Sequence, residues 1–134
     1  MKKYLLILFV LSLALYACAA EDPSASLLGS WNLTSYGPAG SQTPVVADSG
    51  ASLTFNEDGT IGGNSGCNGF GGQYTVEGNQ VSFSEIVSTL ILCDEPLMSQ
   101  EEAVHQVLNE TATYEIDGTT LTLTNNGMVL VLTR

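Results

Sequence analysis

Four turn-forming dipeptides, Asp58-Gly59, Gly78-Asn79, Asp117-Gly118 and Asn126-Gly127, cut much of this 134-residue chain into short segments in which apolar and polar residues alternate. Such pairs tolerate the positive φ of a tight hairpin turn, and a period of two places every other side chain on one face of a strand. Trp31 and Leu33 open the series, and Leu53 and Phe55 follow, continuing after the Asp58-Gly59 turn through Thr60 and Ile61. Tyr74 and Val76 pair with Val81 and Phe83, and Tyr114 and Ile116, Leu121 and Leu123, and Met128 to Leu132 close the chain. The fold class is mainly β, a β-rich α+β arrangement with an antiparallel sheet of about 7–8 strands. A sheet of so many short strands curls, and a closed or half-closed barrel removes its edges.

The intervening segments are less patterned. Residues 37–50, rich in Gly, Pro, Ser and Ala, read as a long loop, and residues 62–72 contain six glycines in eleven positions. The stretch from Ile86 to Cys93 is apolar around Ser88 and Thr89, which predicts a short buried strand or bend leading into the one helix. Asp94 stands where a helix cap belongs, Pro96 fits the first turn, and Ser99-x-x-Glu102 offers a capping box one turn later. Leu97, Met98, Ala103, Val104, Val107 and Leu108 form one apolar stripe, which assigns Glu101, Glu102 and Gln106 to water.

The N-terminus carries the clearest address. Lys2 and Lys3 precede an apolar run from Tyr4 to Leu15, and Leu15-Tyr16-Ala17-Cys18 ends it with a small residue just before a cysteine. The run is shorter than the ~20 residues that span a bilayer comfortably. It reads as a lipoprotein signal peptide, residues 1–17, with Cys18 as the acylated first residue of the mature chain and residues 18–26 as a tether. This points to the cell envelope, and Ala19, in place of the aspartate that often marks inner-membrane retention, points to the outer membrane facing the periplasm where a cell has two membranes.

Loss of residues 1–17 leaves 117 residues, enough for one domain over residues 27–134. The mature chain sets 14 acids against Arg134 alone, a net charge of −13 with His105 neutral. Such a surface repels nucleic acid and anionic headgroups, so no nucleic-acid partner is expected. Once Cys18 is acylated two thiols remain, and an even pair in an exported domain predicts a structural disulfide between Cys67 and Cys93. The alternative, a catalytic pair with His105, lacks the positive charge that lowers a thiol pKa.

No other motif carries chemistry. The glycine run lacks the Lys and Ser/Thr of a phosphate loop, and Ser65 lacks the glycine two residues on that a nucleophile elbow needs. Asn68 is suited to hydrogen-bonding exposed main chain. His105 is a lone histidine, so no metal site is expected, and no pair among the carboxylates is singled out for acid–base work. No cofactor is expected.

Gly29-Ser30-Trp31 with a following Leu-x-x-Tyr, the run Gly66-Cys67-Asn68-Gly69-Phe70-x-Gly72-x-Tyr74, Ser88-Thr89 before Cys93, Met98 with Glu101 or Glu102, and Leu121-x-Leu123 resemble the META/HslJ domain. The most specific part is the Gly-Cys-Asn-x-Phe-x-Gly-x-Tyr run combined with a second cysteine just before the helix. Leu90-Ile91-Leu92 departs from the Thr-Met-Ala type of run usual there. The resemblance implies small exported bacterial lipoproteins, some linked to heat shock, a lipocalin-like barrel with one helix, and no established enzymatic activity.

Two functions are compatible with these features. In the first, a non-enzymatic, membrane-anchored envelope protein binds an unknown protein partner or serves in envelope stress, its membrane contact being the lipid on Cys18. In the second, the barrel carries a small apolar ligand lined by Trp31, Phe55, Phe70, Tyr74 and Phe83, residues that also suit a plain core.

Overall fold

The computed structural model describes residues 22–134; residues 1–21, and with them the proposed acylation site Cys18, lie outside the described residues. A short 3₁₀ turn, Pro23–Ser26, leads into strand β1, Gly29–Pro38. Then come β2, Thr43–Pro44; β3, Ser52–Phe55; β4, Thr60–Asn64; β5, Gly69–Glu77; and β6, Gln80–Ser88. Helix α1, Glu95–Val107, precedes β7, Thr111–Asp117; β8, Thr120–Asn125; and β9, Met128–Thr133.

All pairings are antiparallel, in the order β2-β1-β3-β4-β5-β6-β7-β8-β9, and a further β1–β9 pairing closes the sheet. The result is an eight-stranded barrel with β2 as an additional short strand. A bulge at Thr34 lets β1 pair with β3 through Asn32 and with β9 onward to Pro38. Bulges of this kind bend a strand enough to turn a barrel corner.

The barrel has two unlike ends. Turns 56–59, 78–79 and 118–119 lie at the lower end, where the Tyr114 hydroxyl is 3.1 Å from the Pro23 carbonyl and 3.0 Å from that of Gly78. The chain therefore enters at this end. Turns 65–68 and 126–127 and segment 89–94 lie at the upper end, where α1 packs on β9, β1 and β8. Asn125 ties the helix terminus down, its side-chain amide donating to the carbonyls of Gln106, Val107 and Asn109 that the helix leaves unpaired.

The interior is the alternating face of the strands. Trp31, Leu53, Phe55, Val81, Leu121, Leu123, Leu130 and Leu132 are almost completely buried, and α1 adds Ala103, Val104, Val107 and Leu108. The Trp31 indole donates to the Leu27 carbonyl at 2.7 Å, and the Arg134 guanidinium lies 4.3 Å from its ring centroid.

Three segments differ from expectation. Residues 37–50 are not one loop, because β1 runs to Pro38 and β2 pairs Thr43 and Pro44 with Tyr36 and Ser35. The glycine run is largely strand: β4 reaches Asn64 and β5 starts at Gly69. Glycine is obligatory at Gly63, where a Cβ would collide with the Ser52 carbonyl and stand 2.7 Å from the Phe70 ring. Finally, Ile86–Cys93 is not a buried strand, since β6 ends at Ser88 and Leu90, Ile91 and Leu92 face solvent.

Candidate functional site

At the upper end the turn Ser65–Asn68 brings α1 and segment 89–93 together. Asn64 Oδ1 accepts from the Gly66 amide at 2.7 Å, and the Ser65 amide donates to the Asn68 carbonyl at 2.9 Å. Gly66 has φ +103°, and a Cβ there would strike the Gln100 amide. That amide is fully buried, donating to the Ser65 carbonyl at 2.7 Å while its oxygen accepts from the Val46 amide at 2.7 Å.

The helical stripe assigns Glu101 to water, yet it is only 8% exposed. Its carboxylate accepts from Asn68 Nδ2 at 2.9 and 3.0 Å and from the Ser65 hydroxyl at 3.2 Å, and it lies 3.5 Å from His105 Nε2. A buried carboxylate is costly unless such donors surround it. Among the described residues every buried side-chain nitrogen and oxygen has a partner. The signal for Gln100 and Glu101 was present in the spacing, since both lie three or four residues before Val104 and share its face.

Asn68 also grips the following loop. Its Nδ2 donates to the Ile91 carbonyl at 3.0 Å, and its Oδ1 accepts from the Ile91 amide at 2.7 Å and the Thr89 hydroxyl at 2.8 Å. One side chain thus takes the place of a neighbouring strand. Cys67 and Cys93 stand at disulfide distance, with Cα atoms 6.0 Å apart, at the far end of the same loop.

The loop held this way is apolar and exposed: Leu90 is 92%, Leu92 88%, Ile91 60% and neighbouring Val87 70% accessible. Beside it, on the outer wall of β5 and β6, a shallow depression of about 450 Å³ is lined by Gly63, Gly69, Phe70, Gly71, Val87, Ser88 and Thr89.

The expected aromatic set is brought together differently. Phe55 and Tyr74 meet edge to face with centroids 5.0 Å apart, and Phe83 lies 6.5 Å from Phe55. Phe70 is 6.2 Å from the His105 ring, and Trp31 is fully buried. All five are buried core residues, of which Phe70 also borders the outer depression and Tyr74 a second one beside Asp22, Leu28 and Glu57.

Ser65, Glu101 and His105 do not form an acyl-transfer triad, because the carboxylate stands between hydroxyl and imidazole and Ser65 is fully buried. No group of three or more His, Cys, Asp or Glu gathers as a metal site among the described residues. Asp94 occupies the N-cap position of α1 without a side-chain cap bond, and the Ser99/Glu102 pair lies inside the helix. None of the described helices is long and apolar enough to cross a membrane.

The META domain family model matches residues 25–134. An NMR structure with 21% identity aligns at TM-score 0.69 over 84% of this chain and 93% of its own. A protein from Burkholderia xenovorans, also solved by NMR, is 28% identical with TM-score 0.65, covering 84% and 88%. A lipocalin-like protein from Bacteroides uniformis is 20% identical with TM-score 0.54, covering 81% and 97%. The curated proteins contain no match.

Proposed function

This chain belongs to the META domain family, and on that premise we propose that it is a non-enzymatic, lipid-anchored recognition module of the cell envelope that binds a protein partner through Val87–Leu92. The observation that carries this reading is the exposure of Leu90 and Leu92 on a loop that Asn68 and the Cys67–Cys93 pair hold in place. Leaving a large aliphatic side chain in water forgoes ~1.5–3 kcal/mol of burial, and contiguous exposed apolar patches mark interaction sites. The Cys67–Cys93 pair is oxidised in that compartment and fixes the loop before a partner arrives, which lowers the ordering cost of binding.

The two ends of the barrel divide the labour. Anchored at Cys18, the chain has four residues, at most about 14 Å, before the described fold begins at the lower end. Strand β5 alone rises about 26 Å from that end to Gly69. The apolar loop is thereby held away from the membrane that carries the anchor. No observation favours the carrier reading over this one.

A photo-crosslinking residue at Leu90 should trap a protein in intact cells, whereas one at Glu115, near the lower end, should not. The double variant Leu90→Ser/Leu92→Ser should abolish capture of that protein while leaving the melting temperature unchanged. Equal trapping from both positions, or none from Leu90, would overturn the docking assignment. For the anchor, Cys18→Ser should lose palmitate labelling and membrane association; retention of both would refute it.

A further inference from the structure

We infer that the apolar loop and the depression beside it form one docking surface whose partner is a basic protein segment with an aromatic anchor, a deepening that rests on the proposed binding role. Val87, 70% exposed, stands opposite Gly71 across the β5–β6 ladder, and the exposed loop Leu90–Leu92 follows it directly after Ser88 and Thr89. The hollow of about 450 Å³, bordered by Val87, Ser88 and Thr89 on one side and by Gly69 and Gly71 on the other, is large enough for one aromatic side chain.

Of the three glycines that line this hollow, Gly63 is required by the fold, whereas Gly69 and Gly71 are bare without such a need. Gly69 and Gly71 are outside the left-handed region, and a Cβ on either would meet only backbone oxygens at 3.8 and 3.7 Å, an ordinary contact. Glycine inside a strand weakens it and marks a bulge, a bend or close approach by another group; the β5–β6 register shift lies beyond Gly71, between it and Gln73, and Gly69 is removed from it. A flat ring laid on this floor gains contact with Val87, across the ladder from Gly71, that a side chain at position 71 would block.

Charge selects among occupants. Glu85 lies two residues before Val87, Asp94 and Glu95 follow Cys93 directly, and all three are exposed. The sole Lys or Arg among the described residues, Arg134, is at the opposite end beside Trp31. Acidic residues on both sides of the apolar segment complement Lys and Arg flanking an aromatic residue, and they repel both a second copy of this acidic chain and an anionic bilayer. A strand added to the free edge of β6 is disfavoured by the bulge at Glu85, φ +53°, which turns that edge away.

The test uses the full chain in detergent micelles, with backbone amide NMR and short peptides carrying a central Trp flanked by Lys, a central Trp flanked by Glu, or a central Ala flanked by Lys. The Trp/Lys peptide should shift the Gly69, Gly71 and Val87 signals, with the other two peptides weaker by about tenfold or more. Gly71→Val should reduce its affinity by a similar factor without changing thermal stability, and Gly69→Thr serves as the second variant should Gly71→Val fail to fold. If the shifts map to Leu90–Leu92 alone and survive Gly71→Val, the inference fails while the docking role stands. If no peptide shifts the floor glycines but they respond to protein concentration or to phosphatidylglycerol nanodiscs, the occupant is a second copy or a bilayer and the inference is wrong. Shifts with none of these probes would likewise overturn it.

Discussion

Replacing Asn68 with alanine removes the one side chain that joins the buried carboxylate to the exposed loop. Asn68 is 2% exposed and spends both of its amide hydrogens, one on Glu101 and one on the Ile91 carbonyl, while its oxygen takes the Ile91 amide. A hydrogen bond to a charged group contributes ~1.5–3 kcal/mol and each neutral one ~0.5–1.5 kcal/mol, so Asn68→Ala should cost about 4 kcal/mol. That is a large part of the ~5–15 kcal/mol that holds a domain of this size. Denaturant unfolding should show the loss as a lower midpoint at constant slope, and hydrogen exchange should show the Ile91 amide unprotected. Asn68→Asp keeps the shape but sets a second carboxylate against Glu101. Two carboxylates in contact cannot both ionise cheaply, so the shared pKa rises and the variant should gain stability as pH falls from 7 toward about 5. Wild-type stability of Asn68→Asp at neutral pH, or a protected Ile91 amide in Asn68→Ala, would show that the network does not hold the loop.

Trp31→Ala should cost ~3–5 kcal/mol, because the indole is fully buried and its removal leaves a cavity under Arg134; a red-shifted, readily quenched Trp31 emission would contradict its placement. Reduction of the Cys67–Cys93 pair should lower stability by ~2–4 kcal/mol for a closed span of 26 residues, measured by unfolding with and without reductant, and ready thiol labelling of the native unreduced protein would refute the bridge. Tyr74, whose hydroxyl donates to the Asn56 carbonyl at 2.9 Å, has its pKa raised by burial and then by the charges of Asp58 and Asp22. Its contribution to stability is complete below the unfolded value of ~10 and is lost as pH rises through the higher folded value, so Tyr74→Phe should flatten the alkaline limb of the stability curve; an unchanged limb would assign that loss to other groups.

The strands were legible because each carries its own period and its own turn. Val81/Phe83, Leu121/Leu123 and Phe55 fall on the inner face as the alternation requires, and Asn126-Gly127 forms its turn with φ +49° and +79°. The glycine run carries no such signal: a residue without a side chain has no hydrophobic period, so Gly62, Gly63, Gly69 and Gly71 could not announce that β4 runs on past Ile61 to Asn64 or that β5 starts before Tyr74, at Gly69. Leu90-Ile91-Leu92 misled for the opposite reason. An apolar run predicts burial only when the fold needs those residues in its core, and here the core closes without them.

The same molecule therefore contains two sets of residues with opposite tolerance. Gln100, Glu101, Asn68 and Ser65 are polar groups without access to water, so each depends on the others to satisfy its hydrogen bonds and a change in one strands the rest. Leu90 and Leu92 are apolar groups with almost full access to water, so exchanging them alters little in the folded domain. A polar cluster bears on the position of the loop, and an apolar cluster bears on what the loop touches. This inverts the usual division, in which apolar residues hold the fold and polar residues recognise. It also separates stability from specificity: the barrel core, with Trp31, Phe55 and Leu53, and the buried polar cluster supply the cohesion, and the exposed loop Leu90–Leu92 can change its side chains without drawing on either.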